Sequence, residues 1–116
     1  MVAQASAAVF RETKPARYGW IIDTDHLWEY GQTNEAGVRG PHNIANDIAA
    51  ELSSRRTGRK FRMYDADGEL IYSGRIITRD DPGSETDFAP LDDFGKPNAG
   101  CTEIWYEDAQ GNWSEL

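Results

Sequence analysis

Three side chains capable of chemistry stand within four positions of one another, Asp23, Asp25 and His26, with a second histidine at His42. Carboxylate oxygens and an imidazole nitrogen are metal donors, and a carboxylate beside a histidine also serves general acid–base catalysis. Their spacing matches no established metal motif, and two histidines cannot build a three-histidine site. An Asx-type loop, in which the aspartates accept from nearby backbone amides, accounts for Asp23 and Asp25 at less cost. Asp65-Ala-Asp67-Gly68-Glu69 opens like a calcium loop, but Gly68 comes too early and the twelfth position is Ile76. A hairpin turn is therefore expected there instead. The neighbouring pairs Asp80-Asp81 and Asp92-Asp93 would suit paired-carboxylate hydrolysis only if they converged, which adjacent residues do not do by default. Cys101 is the single cysteine, so it can form neither an intrachain disulfide nor a thiolate zinc site, and it reads as a small hydrophobe. No G-x-S-x-G, H-E-x-x-H or glycine-rich phosphate loop occurs. No catalytic residue, metal or cofactor is assigned.

Charge is the second source of function, and it is unevenly spread. The 116 residues carry a formal net charge of -8. Residues 1–79 hold ten acids and eleven bases, whereas residues 80–116 hold ten acids and Lys96 as their one base. Within the first part, Arg55, Arg56, Arg59, Lys60 and Arg62 make a short basic run. Direct nucleic-acid binding is disfavoured, because the acidic third repels phosphate. The same third would suit a protein with a basic surface. Asp80, Asp81, Glu85, Asp87, Asp92 and Asp93, with Phe88 and Phe94 between them, are the expected contact residues, combining electrostatic steering with aromatic anchors.

The elements that must hold these groups follow from periodicity. Residues 1–14 are small, polar and aperiodic and read as a flexible lead-in, leaving 15–116 as a single domain. Arg17–Ile22 is a strand, Asp23-Thr-Asp25 interrupts it, and His26–Tyr30 continues it after a bulge or forms another strand. A helix follows, capped by Asn43, with Ile44, Ile48 and Leu52 on its apolar stripe, a Glu51–Arg55 pair, and Gly58 as its stop. Phe61–Tyr64 and Glu69–Tyr72 flank a two-residue type I′ turn at Asp67-Gly68, placing Met63 opposite Tyr72 and Phe61 opposite Gly74. That register puts Phe61, Met63, Leu70, Tyr72 and Ile76 on one face, and Arg62, Tyr64, Ile71, Ser73 and Arg75 on the other. Residues 80–100, rich in Pro and Gly, read as a long loop pinned by Phe88, Leu91 and Phe94. Thr102–Tyr106 and Asn112–Leu116 are two further strands. The fold expected is α+β: a small antiparallel sheet of four to five strands with one packed helix.

FRMYDADGELIYSGRI (61–76) and FAPLDDFGKPNAGCTEIWY (88–106) resemble stretches recurring in small uncharacterised proteins of actinobacteria and of their plasmids and phages. The resemblance covers roughly residues 40–116. It implies a mobile-element or host-defence context, and it carries no activity and no site residues.

No stretch approaches the length of an apolar membrane span. The opening MVAQASAAVF lacks a basic n-region, so no signal peptide is expected and the cytoplasm is the expected compartment. The leading expectation is a non-enzymatic acidic interaction protein that binds a basic macromolecule, including as a nucleic-acid mimic or inhibitor. Two alternatives stand beside it: a small enzyme or ligand-binding domain around Asp23, Asp25, His26 and the tryptophans, and a structural or assembly component. Composition sets no oligomeric state.

Overall fold

The computed structural model describes residues 15–79 and 85–116. The lead-in expected over 1–14 lies outside the described residues, as do the expected contacts Asp80 and Asp81. The elements are β1 (Tyr18–Asp25), β2 (Arg39–Gly40), α1 (Asn46–Ser54), β3 (Arg59–Asp65), β4 (Leu70–Thr78), α2 (Lys96–Ala99), β5 (Cys101–Glu107) and β6 (Trp113–Glu115). The six strands form one sheet in the order β2-β1-β4-β3-β5-β6, and every neighbouring pair is antiparallel. The α+β class and the antiparallel sheet agree with expectation; the sheet has six strands rather than four to five, and the helices number two rather than one. The additional strand is β2, two residues in a segment that reads as loop. It pairs with β1 opposite Trp20 and Ile21, where Gly40 lets the Trp20 ring lie directly on the backbone. His26–Tyr30 is turn and loop, not strand.

The helix α1 starts later than Asn43 predicts. Ala16 donates its N–H to the Asn43 carbonyl at 2.9 Å, and Ile44 forms a bridge with Ala16. His42 and Asn43 are instead the centre of a turn closed by Ile44 N–H donating to the Pro41 carbonyl at 3.0 Å, so the extended Ala45 becomes the N-cap, with no side-chain bond. Ile48 and Leu52 are buried against Ile21 and Ile77 as the four-residue spacing requires. Each such side chain contributes about 1.5–3 kcal/mol by leaving water. Glu51 pairs with Arg79 at 3.0 Å rather than with Arg55, and it also accepts from the Thr57 hydroxyl at 2.9 Å.

The register Met63↔Tyr72 and Phe61↔Gly74 is observed, but the turn that delivers it is different. Asp65 and Glu69 face each other around a three-residue loop, with Asp65 N–H donating to the Glu69 carbonyl and Gly68 N–H to the Asp65 carbonyl, each at 3.0 Å. The Asp65 carboxylate accepts from the Asp67 and Glu69 amides at 2.9 Å. That side-chain turn favours ordinary negative φ at Ala66 and Asp67, so among the turn residues Gly68 alone takes positive φ, +80°. A bulge between Met63 and Tyr64 then restores the register. Its consequence is an exchange of neighbours: Ile71 joins the core, and Leu70 is left half-buried.

Residues 85–99 correct the long-loop expectation. Glu85–Phe88 is a 3₁₀ turn, Leu91–Gly95 a π-helical turn, and α2 follows directly. Pro90 sits at the start of the π-helical turn, where the missing N–H has no helical partner to lose, and Pro97 lies in the first turn of α2. This run covers one face of the sheet. Ala89 and Leu91 are buried with Trp20, Ile22, Phe61, Met63, Tyr72, Ile76, Ile104 and Tyr106, and Phe94 packs on that cluster. The opposite face carries α1 over its β1–β4 end, where the Ile21–Ile77 cluster lies.

Candidate functional site

Beyond α1, the second face continues over β3, β5 and β6 as polar and aromatic side chains that are only partly buried: Arg62, Tyr64, Trp105 and Trp113. The register places Ser73, Arg62, Trp105 and Glu115 in one row across the four strands. Period-two alternation in β3 divides the basic run. Arg59 turns toward the buried cluster, whereas Lys60 and Arg62 belong to the open face.

The pairing of β1 with β4 skips Asp23, which is the extra residue of a bulge between Ile22 and Thr24. Bulges re-aim side chains. Here the Asp23 carboxylate receives the Arg75 guanidinium in a two-point contact, Nε to Oδ2 at 2.7 Å and Nη2 to Oδ1 at 2.8 Å. Arg75 Nη1 donates to the Thr57 carbonyl at 2.9 Å. Arg75 is 4% exposed, and a guanidinium so deeply placed is tolerable because its donors are engaged.

Asp23 and Arg75 form part of the wall of a cavity of about 350 Å³, with Arg56, Lys60, Arg62 and Trp113 around it. Arg56 lies where the chain leaves α1 for β3. It has φ +53°, a left-handed conformation that disfavours a non-glycine residue by roughly 1–2 kcal/mol. Among the described residues, Arg56, Lys60 and Arg62 form no ion pair. Arg62 instead lies over the Trp113 ring, its guanidinium carbon 4.0 Å from the centroid. Three cations, Arg56, Lys60 and Arg62, stand beside the mutually neutralised Arg75–Asp23 pair, so the cavity is cationic although the chain is acidic. Chemically it can hold an anion.

A second depression of about 340 Å³ adjoins it, lined by Tyr64, Glu103, Trp105 and Trp113. Tyr64 and Trp105 meet edge to face with centroids 6.2 Å apart, and the Trp105 indole donates to Glu103 at 3.0 Å. Trp113 belongs to both depressions.

His26 Nε2 and the Ser73 hydroxyl lie 2.7 Å apart at the edge of this face. His26 is exposed, and partial desolvation of its ring, then the Arg62 charge, hold the imidazole below its ordinary pKa, with Asp25 opposing. A serine beside a neutral histidine has the first two parts of a nucleophilic dyad, but a base also needs an orienting group. Asp25 does not supply it. Its carboxylate accepts from the Leu27 and Glu35 amides at 3.1 and 3.2 Å, as the Asx reading expects. Asp23, Asp25 and His26 thus face three different partners. Among the described residues, no cluster of three or more metal-ligating side chains forms.

Of the expected acidic contacts, Asp80 and Asp81 lie outside the described residues, and the others differ in exposure. Asp87 is 1% exposed and bound to Arg59, which also lies 4.3 Å from the Tyr106 ring centroid. Phe94 is packed between Trp20 and Tyr72, with centroids at 5.6 and 5.1 Å. Asp87 is therefore structural, which corrects its placement on an exposed patch, while Phe94 is half-buried and pins the segment to the core as expected. Asp92 is exposed and paired with Lys96 at 3.0 Å. Asp93 is exposed; partial burial raises its carboxyl pKa, the Trp20 indole N–H pulls it back, and Asp92 adds to the rise. Among the described residues that buried indole N–H finds no hydrogen-bond partner of standard geometry. Glu85 and Phe88 are exposed.

Lys60, Arg62, Arg56 and Arg75 were not among the expected site residues, whereas Asp23 and Trp113 belong to the alternative ligand-binding reading around Asp23, Asp25, His26 and the tryptophans. The signal for Lys60 and Arg62 lay in the alternation of the basic run, and that for Asp23 in the interruption of β1. No local spacing in the sequence joins Trp113 to Lys60 and Arg62. Comparison with protein-family models, curated proteins and solved structures finds no match.

Proposed function

We propose that this chain is a ligand-binding protein whose site is the cavity between the end of α1 and the open sheet face, and that the ligand is an anion. The observation carrying this is the arrangement of Arg56, Lys60 and Arg62 around a space whose one carboxylate, Asp23, is neutralised by Arg75. Cations gathered without counter-charges repel one another, and an anion relieves that repulsion while gaining charge-assisted hydrogen bonds. A small concave site with few convergent polar groups is also the usual form of a ligand pocket. Calorimetric titration with inorganic pyrophosphate tests it. Binding that weakens with added salt and is lost in Lys60→Glu is expected; no heat at any salt concentration refutes it.

A second function, binding to a basic protein, is favoured by one observation: Phe88 is 39% exposed in a turn that begins with the exposed Glu85. An aromatic ring bared beside a carboxylate suits an interface anchor. Affinity for a captured basic partner that is unchanged by Glu85→Lys and Phe88→Ser rules this out.

A further inference from the structure

Resting on the anion-binding cavity proposed above, we infer that the ligand is a free nucleotide, with its phosphates among Arg56, Lys60 and Arg62 and its base on the Tyr64–Trp105–Trp113 surface. Three features lead there. The cationic cavity and the aromatic depression share Trp113 as a common wall, so one ligand of moderate length reaches both. The depressions differ in chemistry as the two ends of a nucleotide do. One offers guanidinium and ammonium donors, which suit phosphate oxygens. The other offers half-exposed aromatic rings, which suit the π-face of a base. Arg62 lies at their junction, its guanidinium 4.0 Å from the Trp113 ring, where it can bond a phosphate or extend the stacking surface.

The aromatic depression also holds an acceptor. One oxygen of Glu103 takes the Trp105 indole N–H, and the other is left for an amino or ring N–H of the base. An inorganic anion or a short carboxylic acid would use the cationic half and leave these rings idle.

Charge separates a free nucleotide from a nucleic-acid strand. The open face ends on β5 and β6, which carry Glu103, Glu107 and Glu115, and the whole chain is at -8. Each phosphate beyond the cavity would meet carboxylates rather than cations, so extending the strand adds repulsion.

The test uses the full chain with three probes: inorganic pyrophosphate, adenosine diphosphate, and an adenylate oligonucleotide. Binding is read by calorimetry and by quenching of tryptophan fluorescence. Adenosine diphosphate is expected to bind about tenfold more tightly than pyrophosphate, a margin of about 1.4 kcal/mol. Trp105→Ala is expected to abolish that margin and leave pyrophosphate binding unchanged, with Trp105→Phe retaining most of it. Lys60→Glu is expected to weaken both ligands. If the diphosphate binds no better than pyrophosphate, the nucleotide assignment fails and the anion site stands. If neither binds, the anion site itself fails. Tighter binding of the oligonucleotide than of the diphosphate overturns the free nucleotide as ligand. Should Trp105→Ala unfold, Tyr64→Ala addresses the same surface and is expected to lower diphosphate affinity alone.

Discussion

Arg59 and Lys60 are consecutive in the chain and part company at the sheet. Arg59 crosses to the closed face, binds the buried Asp87 and lies over Tyr106. Lys60 stays on the open face beside a cavity, with no ion pair among the described residues. The contrast extends to the whole molecule. On the closed face, the helical turns of 85–99 convert an acidic, proline-rich segment into a lid on the aromatic core. On the other, α1 covers only the β1–β4 end, leaving cations and tryptophans in reach of solvent. Charge on the first face stabilises the fold, and charge on the second is held available.

The largest effect should come from breaking the pair on the closed face. Arg59→Met leaves the Asp87 carboxylate buried without its guanidinium. The expected loss is about 3 kcal/mol in urea denaturation, discounted from the upper range because Arg59 is partly exposed. Lys60→Met should change stability by no more than about 0.5 kcal/mol. Equal losses at the two positions would dissolve the contrast.

Gly74 comes next. A Cβ there would lie 2.0 Å from the Ile21 carbonyl oxygen and 2.6 Å from the Phe61 ring, so Gly74→Ala forces β1 and β4 apart beneath the core. A loss of about 2 kcal/mol is expected. A variant as stable as the parent would mean that the sheet yields more readily than its close packing allows.

Cys101 reports on the same closed face with a smaller effect. It is 1% exposed, and burial, with Asp65 adding to it, pushes its thiol up to about 11. A thiol raised in the folded state contributes stability that is fully present below its unfolded pKa of about 8.5 and is lost as pH rises through the folded value. Cys101→Ala should therefore flatten the alkaline fall in stability between those limits, and native protein should resist thiol reagents at neutral pH. Rapid native labelling would show that the lid opens.

What could be read beforehand divides along the same line. Strong local signals were legible: the Ile48–Leu52 stripe, the register around Phe61 and Met63, and the strands ending the chain. Residues 85–99 were not, because Pro90, Gly95 and Pro97 announce a loop while the helical spacing of Phe88, Leu91 and Phe94 speaks more quietly. The exposure of the individual acids was not legible for a related reason. Net charge counts Asp87 alongside Asp92, and only the fold reveals that one is buried under Arg59 and the other solvated beside Lys96. The cationic cavity depends on a bulge at Asp23 and on Trp113 arriving from the far end of the chain. Such non-local coincidences leave no periodic trace.

The finest probe of the open face is His26, whose Nε2 meets the Ser73 hydroxyl and whose pKa is lowered first by partial desolvation of its ring and then by Arg62. Its titration, followed by NMR, should have a midpoint below the ordinary value of about 6.5. Because the folded pKa is depressed, the unfolded chain takes up the proton first. His26 thus contributes stability above pH about 6.5 that diminishes as pH falls through the folded midpoint. Arg62→Ala should move that midpoint upward, though not fully, since the partial desolvation remains. Pyrophosphate should move it the same way in the parent, because an anion beside Arg62 offsets the positive field the imidazole feels. The substitution and the ligand would then be non-additive, with pyrophosphate shifting His26 less in Arg62→Ala. A midpoint indifferent to both would separate His26 from the cationic cavity and leave the open face without its internal reporter.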